Sequence, residues 1–464
     1  MHEKGRYVKL EPERATASVR RVRRLALAAL LLAPLCLAAA AHAELVPGSA
    51  GAADSLLATA PDGSPRVAYV AADGGVVVAA RDATGTWTTA RLPLPPLAAP
   101  AIVGLAQAPA GLVVLVEASD GSRLVLAEQH GAAWSVRTVA TRPAHGSLGF
   151  GALAIDRSGR PLVAYATLLS SRKTSLRLVH EDARGRLVGE AVTRDGFPDS
   201  VDLPTVAPVV LADGTVRVVE AYSGAVIEWA RTKNGKSWTG QFLFANSLAE
   251  PAGTLHAVAD PAGGAWSAWT DLFPTFAESQ VILGENRDGQ RTTVLDRHAF
   301  LVGLAETPAG PEAAADDYVS LPGGRTVYAG LVLDAAGNAL ELAGNLEGYA
   351  VEPSGAQQYL LLDAAGVEWF RSPTLPTASV TLSAAADGAA FELTGRVSGA
   401  SAGSVEIDRE TQAGTQLAAT VPLAADGTFS LADTPSVRPL TYRAVYRDAN
   451  GIPVASLLRT VLGA

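Results

Sequence analysis

Cysteine is almost missing from this chain: Cys36 is the one copy in 464 residues, and Met1 is the one methionine. A scaffold stapled by disulfides, a thiolate zinc site, an iron–sulfur cluster and a cysteine nucleophile are therefore excluded for everything beyond the first few dozen residues. Aromatic residues make up 6% of the chain and lysine is scarce, so basic charge is carried mainly by arginine. After residue 43 no run approaches the ~18 uninterrupted apolar residues that a membrane helix needs. What is present is 48% hydrophobic residues with 45 Gly and 28 Pro. That is enough apolar mass for more than one folded core, and its turn-formers favour short strands over long helices. An all-β fold is expected.

The first 43 residues read as an export signal. Arg20, Arg21, Arg23 and Arg24 directly precede the stretch LALAALLLAPLCLAAAAHA, and Ala41-His42-Ala43 supplies the small side chains a signal peptidase requires. Cleavage before Glu44 is expected, with a secreted or cell-surface destination. Leu35 stands before Cys36 where a lipoprotein signal wants a small residue, so no lipid anchor is expected. Removal of the segment takes away eight basic and three acidic residues and leaves 29 basic against 43 acidic ones, a formal net charge of −14. Nucleic acid and anionic membrane are poor partners for such a surface.

Self-similarity is the strongest signal. The segments LATAPDG, LAQAPAG, LAIDRSG and LAETPAG share an apolar start, a turn and a closing glycine, and PVVLADG and AVADPAG are weaker copies. The closing residues are Gly63, Gly111, Gly159, Gly214, Gly263 and Gly310, and YAVEPSG adds Gly355. The period is close to 48 residues. Each period reads as four short strands; in the first they are LLATA, RVAYVAA, VVVAARD and WTTARL, alternating in hydrophobicity between turns. A four-stranded sheet cannot cover both faces alone, and radial repetition buries them between neighbours as a β-propeller. Strand counting through residues 300 to 372, with a strand near Glu44 to Ser49 completing the last unit, favours seven blades. Six results if YVSLPGG (318 to 324) takes the place of LAETPAG.

Beyond Ser372-Pro373-Thr374-Leu375-Pro376 the period vanishes. About seven further strands follow, and Val380, Leu382, Phe391, Leu393, Val405, Ile407, Phe429, Leu431, Tyr442, Ala444 and Tyr446 fall on alternating positions that would face a two-sheet interior. The expected division is a signal peptide at 1–43, a propeller at 44–373 and a β-sandwich at 374–464. The run DGTFS with the later TYRAVYRD resembles bacterial immunoglobulin-like domains, which implies a spacer or adhesion module without catalytic residues. The repeats, in turn, resemble the sialidase and bacterial-neuraminidase-repeat propellers, whose box reads S-x-D-x-G-x-x-W. AEQHGAAW (127 to 134) and RTKNGKSW (231 to 238) keep its Gly and Trp, while Gln129 and Lys233 stand at the Asp position. The box is structural in that family, and no arginine trio for a substrate carboxylate accompanies it here. The resemblance therefore implies the fold without sialidase activity.

No catalytic residue can be named. His130, His145, His180, His256 and His298 show no metal spacing and read as satisfied or surface histidines, Ser200 and Ser223 lack a nucleophile elbow, and no phosphate loop appears, so no cofactor is expected. Asp195, Asp199 and Asp202 match no calcium loop. Loop length gives the remaining lead. The loops joining second to third strands, and unit to unit, share one face and are long at LLSSRKTS, RDGFPDSVDLPT and TDLFPTFAES. They carry Arg172, Lys173, Phe197, Asp199, Asp202, Asp271, Phe273, Phe276 and Glu278, a mixture of aromatics and charge suited to a protein or glycan ligand. The expected function is noncatalytic binding on that face. The alternative is a glycosidase or lyase in the central funnel, which requires converging carboxylates with an Arg or Tyr.

Overall fold

The computed structural model describes residues 44–169, 174–193, 204–222, 225–232, 235, 237–245, 250–272, 279–286, 290–296, 299–321, 325–363, 365–436, 439, 441–456 and 459–460. The expected export signal lies outside them. Every regular element among the described residues is a β-strand.

A short strand, β1 (Glu44–Leu45), precedes the repeats. The first unit is β2 (Asp54–Thr59), β3 (Pro65–Val70), β4 (Val76–Arg81) and β5 (Trp87–Arg91). The second is β6 (Pro100–Ala108), β7 (Gly111–Ala118), β8 (Arg123–His130) and β9 (Ala133–Thr141). The third is β10 (Gly146–Ile155), β11 (Pro161–Leu169), β12 (Thr174–Glu181) and β13 (Leu187–Ala191). The fourth is β14 (Thr205–Val210), β15 (Val216–Tyr222), β16 (Ala225–Arg231) and β17 (Trp238–Ala245). The fifth is β18 (Glu250–Ala259), β19 (Ala265–Leu272), β20 (Gln280–Asn286) and β21 (Gln290–Asp296). The sixth is β22 (Ala299–Thr307), β23 (Gly310–Leu321), β24 (Arg325–Asp334) and β25 (Ala339–Ala343). Last come β26 (Asn345–Val351), β27 (Gln357–Leu362) and β28 (Val367–Ser372), whose fourth strand is β1: Glu44 pairs with Trp369 and Leu45 with Glu368.

Each unit is an antiparallel meander, and its first strand packs beside the first strand of the next, with β26 returning to β2. The apolar cores lie between units rather than within them. Val70 and Val78 of the first unit meet Val114 and Val116 of the second. Val219 and Val226 of the fourth meet Trp269 and Ile282 of the fifth. Tyr69 and Ala79 of the first meet Leu360 and Trp369 of the last. Sheets that bury both faces against neighbours around a common axis make a β-propeller. Its turns follow one chemistry. Asp156 Oδ1 accepts the amides of Ser158 and Arg160 at 2.8 Å, and Gly159 closes the turn at φ 79°, a conformation that glycine adopts without strain. Gly214, at φ 87°, closes the equivalent turn after Asp213.

The tail contributes two sheets. One contains β29 (Ser379–Asp387), β30 (Ala390–Ser398) and β33 (Thr428–Asp433). The other contains β31 (Ser404–Thr411), β32 (Gly414–Pro422), β34 (Thr441–Arg447), β35 (Pro453–Ala455) and β36 (Arg459–Thr460). Between them Tyr442 donates to Asp433 Oδ2 at 2.6 Å and Arg409 Nε to the same oxygen at 2.7 Å, so a charge-assisted tie joins the sheets through their interior. The second sheet does not stop at the tail: β35 pairs with β25 through Val454 and Leu342. Leu342, Leu346, Tyr359 and Phe370 accordingly share one apolar core with Val380, Phe391, Ile407 and Tyr442.

Candidate functional site

Strands β2, β6, β10, β14, β18, β22 and β26 line an axial cavity of about 560 Å³. Its polar lining includes Asp54, Thr205, Thr254, His256, Asp316 and Glu347, and leucines such as Leu56, Leu105, Leu153 and Leu301 supply much of the rest. Among the described residues no lysine or arginine lines it.

The carboxyls around this axis have a shared task. First strands β6, β10, β22 and β26 each carry a register shift, at Ile102/Gly104, Leu148/Gly151, Leu301/Gly303 and Leu346/Gly348. A bulge leaves a backbone amide outside the ladder, where it needs another acceptor. The preceding unit provides one. Asp54 Oδ2 accepts the Ile102 amide at 2.7 Å, Thr270 Oγ1 the Leu301 amide at 2.8 Å and Asp316 Oδ1 the Leu346 amide at 2.7 Å. Glu117 accepts the Gly151 amide in the same way, and Glu347 reaches the Ser55 amide, carrying the pattern from the last unit back to the first. A hydrogen bond of this kind contributes roughly 0.5–1.5 kcal/mol, and leaving the buried amide without it would cost more.

These acids sit in poorly solvated places. Burial pushes Glu117 and Glu347 up to about 7, the second helped by the neighbouring Asp54 charge. Burial raises Asp54, and it holds Asp316 well above the usual carboxylate range, with Glu347 and Asp317 adding repulsion. Burial also drives His256 down to about 4, so its imidazole is neutral at physiological pH. His256 departs from the expectation of a satisfied or surface histidine, since it lines the cavity and makes no hydrogen bond among the described residues. His130 and His145 are exposed, and His180 Nδ1 lies 3.2 Å from the Glu181 carbonyl. Among the described residues no grouping of three or more His, Cys, Asp or Glu side chains could hold a metal ion.

Of the loop residues singled out from the sequence, Arg172, Lys173, Phe197, Asp199, Asp202, Phe273, Phe276 and Glu278 lie outside the described residues, as do Asp195, Ser200, Ser223, Lys233 and His298. Asp271 falls within β19 and is 1% exposed. Among the described residues neither of its carboxyl oxygens has a hydrogen-bond partner, and burial pushes it up to about 6. At the first box remnant, Gln129 pairs with Trp134 across the hairpin and Gly131 takes φ 63°. At the second, the Arg231 guanidinium lies 5.3 Å from the Trp238 ring centre.

The sequence reading missed the axial acids. A signal was present, however: six residues after the closing glycines stand Tyr69, Glu117, Tyr165, Glu220, Trp269 and Asp316. After Gly355 the residue is Leu361; the three acids share one place on the second strand, and of them Asp316 lines the axial cavity.

No protein-family model matches the chain, and no curated protein matches it. Solved structures do. The chain is similar to the Cps50 (Swd1) β-propeller domain of Myceliophthora thermophila, at 12% identity over 71% of this chain and 98% of that one, with a TM-score of 0.44. An α-L-arabinanase of Penicillium chrysogenum, solved with arabinobiose, matches at 12% identity over 71% and 96%, with a TM-score of 0.42. The Aleuria aurantia lectin, solved with a fucosyl-GlcNAc ligand, matches at 12% identity over 65% and 97%, with a TM-score of 0.39.

Proposed function

We propose that the chain is an exported, noncatalytic binding protein. In this reading residues 1–43 are a cleaved signal, residues 44–373 a seven-bladed propeller of the sialidase-repeat type, and residues 374–464 an immunoglobulin-like sandwich that serves as spacer. The long-loop face binds a protein or glycan in the secreted or cell-surface compartment. One observation carries the noncatalytic part: the carboxyls facing the axis accept backbone amides of the neighbouring unit, and among the described residues no arginine or lysine joins them. A funnel built to cleave a glycosidic bond needs a free acid and a free base across the substrate, usually with a cation to hold it. The expected result is that the chain from Glu44 binds on a glycan array or in a pull-down, and that shortening 168–175, 194–203 and 273–278 together abolishes binding. Binding indifferent to that change would sink the assignment of the loop face.

A second reading keeps the funnel as a glycosidase or lyase site. It is favoured by Glu347, which burial pushes up to about 7 so that it holds a proton near neutral pH, beside Asp54 and with Tyr349 in the same lining. It requires new reducing or unsaturated ends from a polysaccharide panel, lost in Glu347→Gln.

A further inference from the structure

The axial cavity is rich in acceptors and poor in donors. Asp54, Asp316 and Glu347 come from β2, β23 and β26, and their charges act on one another. Asp316 spends Oδ1 on the Leu346 amide, and Oδ2 has no hydrogen bond among the described residues. His256, on β18, is enclosed by protein, so that what its ring is exposed to is the cavity itself. A neutral imidazole without a hydrogen bond offers a lone pair there. The other titratable groups facing the trio are Asp317 and Tyr349, and the Tyr349 hydroxyl already donates to Glu312. Among the described residues nothing in the lining carries positive charge. The space of about 560 Å³ is large enough for a compound of several carbons, and its leucine walls suit an apolar body.

We propose that this cavity holds a small organic cation, an alkylammonium or guanidinium compound, with its charged head among Asp54, Asp316 and Glu347 and its hydrocarbon part against the leucines. Glu347 Oε1 already accepts from Asn345 Nδ2, and Asp54 from the Ile102 and Ser55 amides, so the head donates to Asp316 Oδ2 and the His256 lone pair, and its charge offsets the repulsion among the three acids. A neutral polyol or sugar does neither, because its hydroxyls bring as many acceptors as donors. The bound charge also stabilises the ionised carboxylates, so binding displaces the proton that Glu347 otherwise retains near neutrality.

The test is calorimetric titration of the chain from Glu44 with agmatine, using 1,4-butanediol as the uncharged counterpart and glutarate as the anion. Agmatine is expected to bind at least fivefold more tightly at pH 8 than at pH 6. Heats in two buffers of different ionisation enthalpy should reveal proton release, and neither control compound should bind. Glu347→Gln and Asp316→Asn should each weaken agmatine tenfold or more. Equal binding of butanediol, no binding of agmatine at millimolar concentration and pH 8, or unchanged affinity in folded variants would overturn the proposal. Should a variant fail to fold, the proton release measured on the unsubstituted chain decides. Shortening the long loops should leave agmatine binding intact, which separates this site from the loop face.

Discussion

Gly104→Ala is expected to lower stability by about 3 kcal/mol, whereas Gly303→Ala leaves it unchanged or raises it by about 0.5 kcal/mol. The two glycines occupy the same place in nearly the same sequence, Ile-Val-Gly-Leu-Ala and Leu-Val-Gly-Leu-Ala, at the bulges of β6 and β22. Their surroundings differ. A Cβ on Gly104 would stand 2.5 Å from the Leu153 Cβ of the next unit and 3.2 Å from the Leu115 Cβ. Both obstacles are fixed to backbone, so relief requires two sheets to move apart. A Cβ on Gly303 finds its nearest atoms at 3.9 Å, an ordinary contact, and removing a glycine takes conformational freedom from the unfolded chain. Gly348→Ala should follow Gly104, because Leu57 Cβ lies 2.9 Å away across the junction between last and first units. Guanidinium denaturation followed by tryptophan fluorescence measures all three. Equal losses at Gly104 and Gly303 would mean that the bulge needs glycine for its own sake, independently of the distance between units.

The pattern of closing glycines made the repeats legible because a turn with positive φ recurs wherever a first strand hands over to a second. Gly63, Gly159, Gly214 and Gly355 all take that conformation. The strand near Glu44 was legible as well, since the count of strands after Phe300 left one vacancy, and β1 fills it beside β28. The axial acids were not. A lone Asp or Glu in a half-buried strand looks like any solvated side chain until its partner is known, and here the partner is a bulge amide in the following unit. Asp54 meets Ile102 at a separation of 48 residues and Asp316 meets Leu346 at 30, too far apart for local spacing to reveal. The junction with the tail was hidden for a different reason. Residues 339 to 343 read as an ordinary outer strand, and nothing in a period of 48 residues reports that Leu342 pairs with Val454, which lies beyond the repeats.

Glu220→Gln is expected to stabilise the protein by about 2–3 kcal/mol at pH 8 and to leave it unchanged near pH 4. Glu220 lies in β15, six residues after Gly214, and is 2% exposed. Among the described residues its one hydrogen bond comes from Trp229 Nε1 at 2.8 Å, and burial pushes its carboxyl up to about 7. The sign follows from the two titrations. In the unfolded chain the group ionises near the ordinary glutamate value of 4.5, whereas the folded protein retains the proton until about pH 7. Between those values the native state binds more protons than the unfolded one, so stability falls as pH rises through that window and levels off above it. Glutamine has the same shape, keeps an oxygen for the Trp229 indole and never ionises. The gain from the substitution therefore opens above pH 4.5 and reaches its full size above pH 7. Thermal unfolding of both proteins from pH 4 to 8 measures it. A pH-independent difference, or a loss at pH 8, would show that Glu220 is stabilised as a carboxylate by a partner other than Trp229.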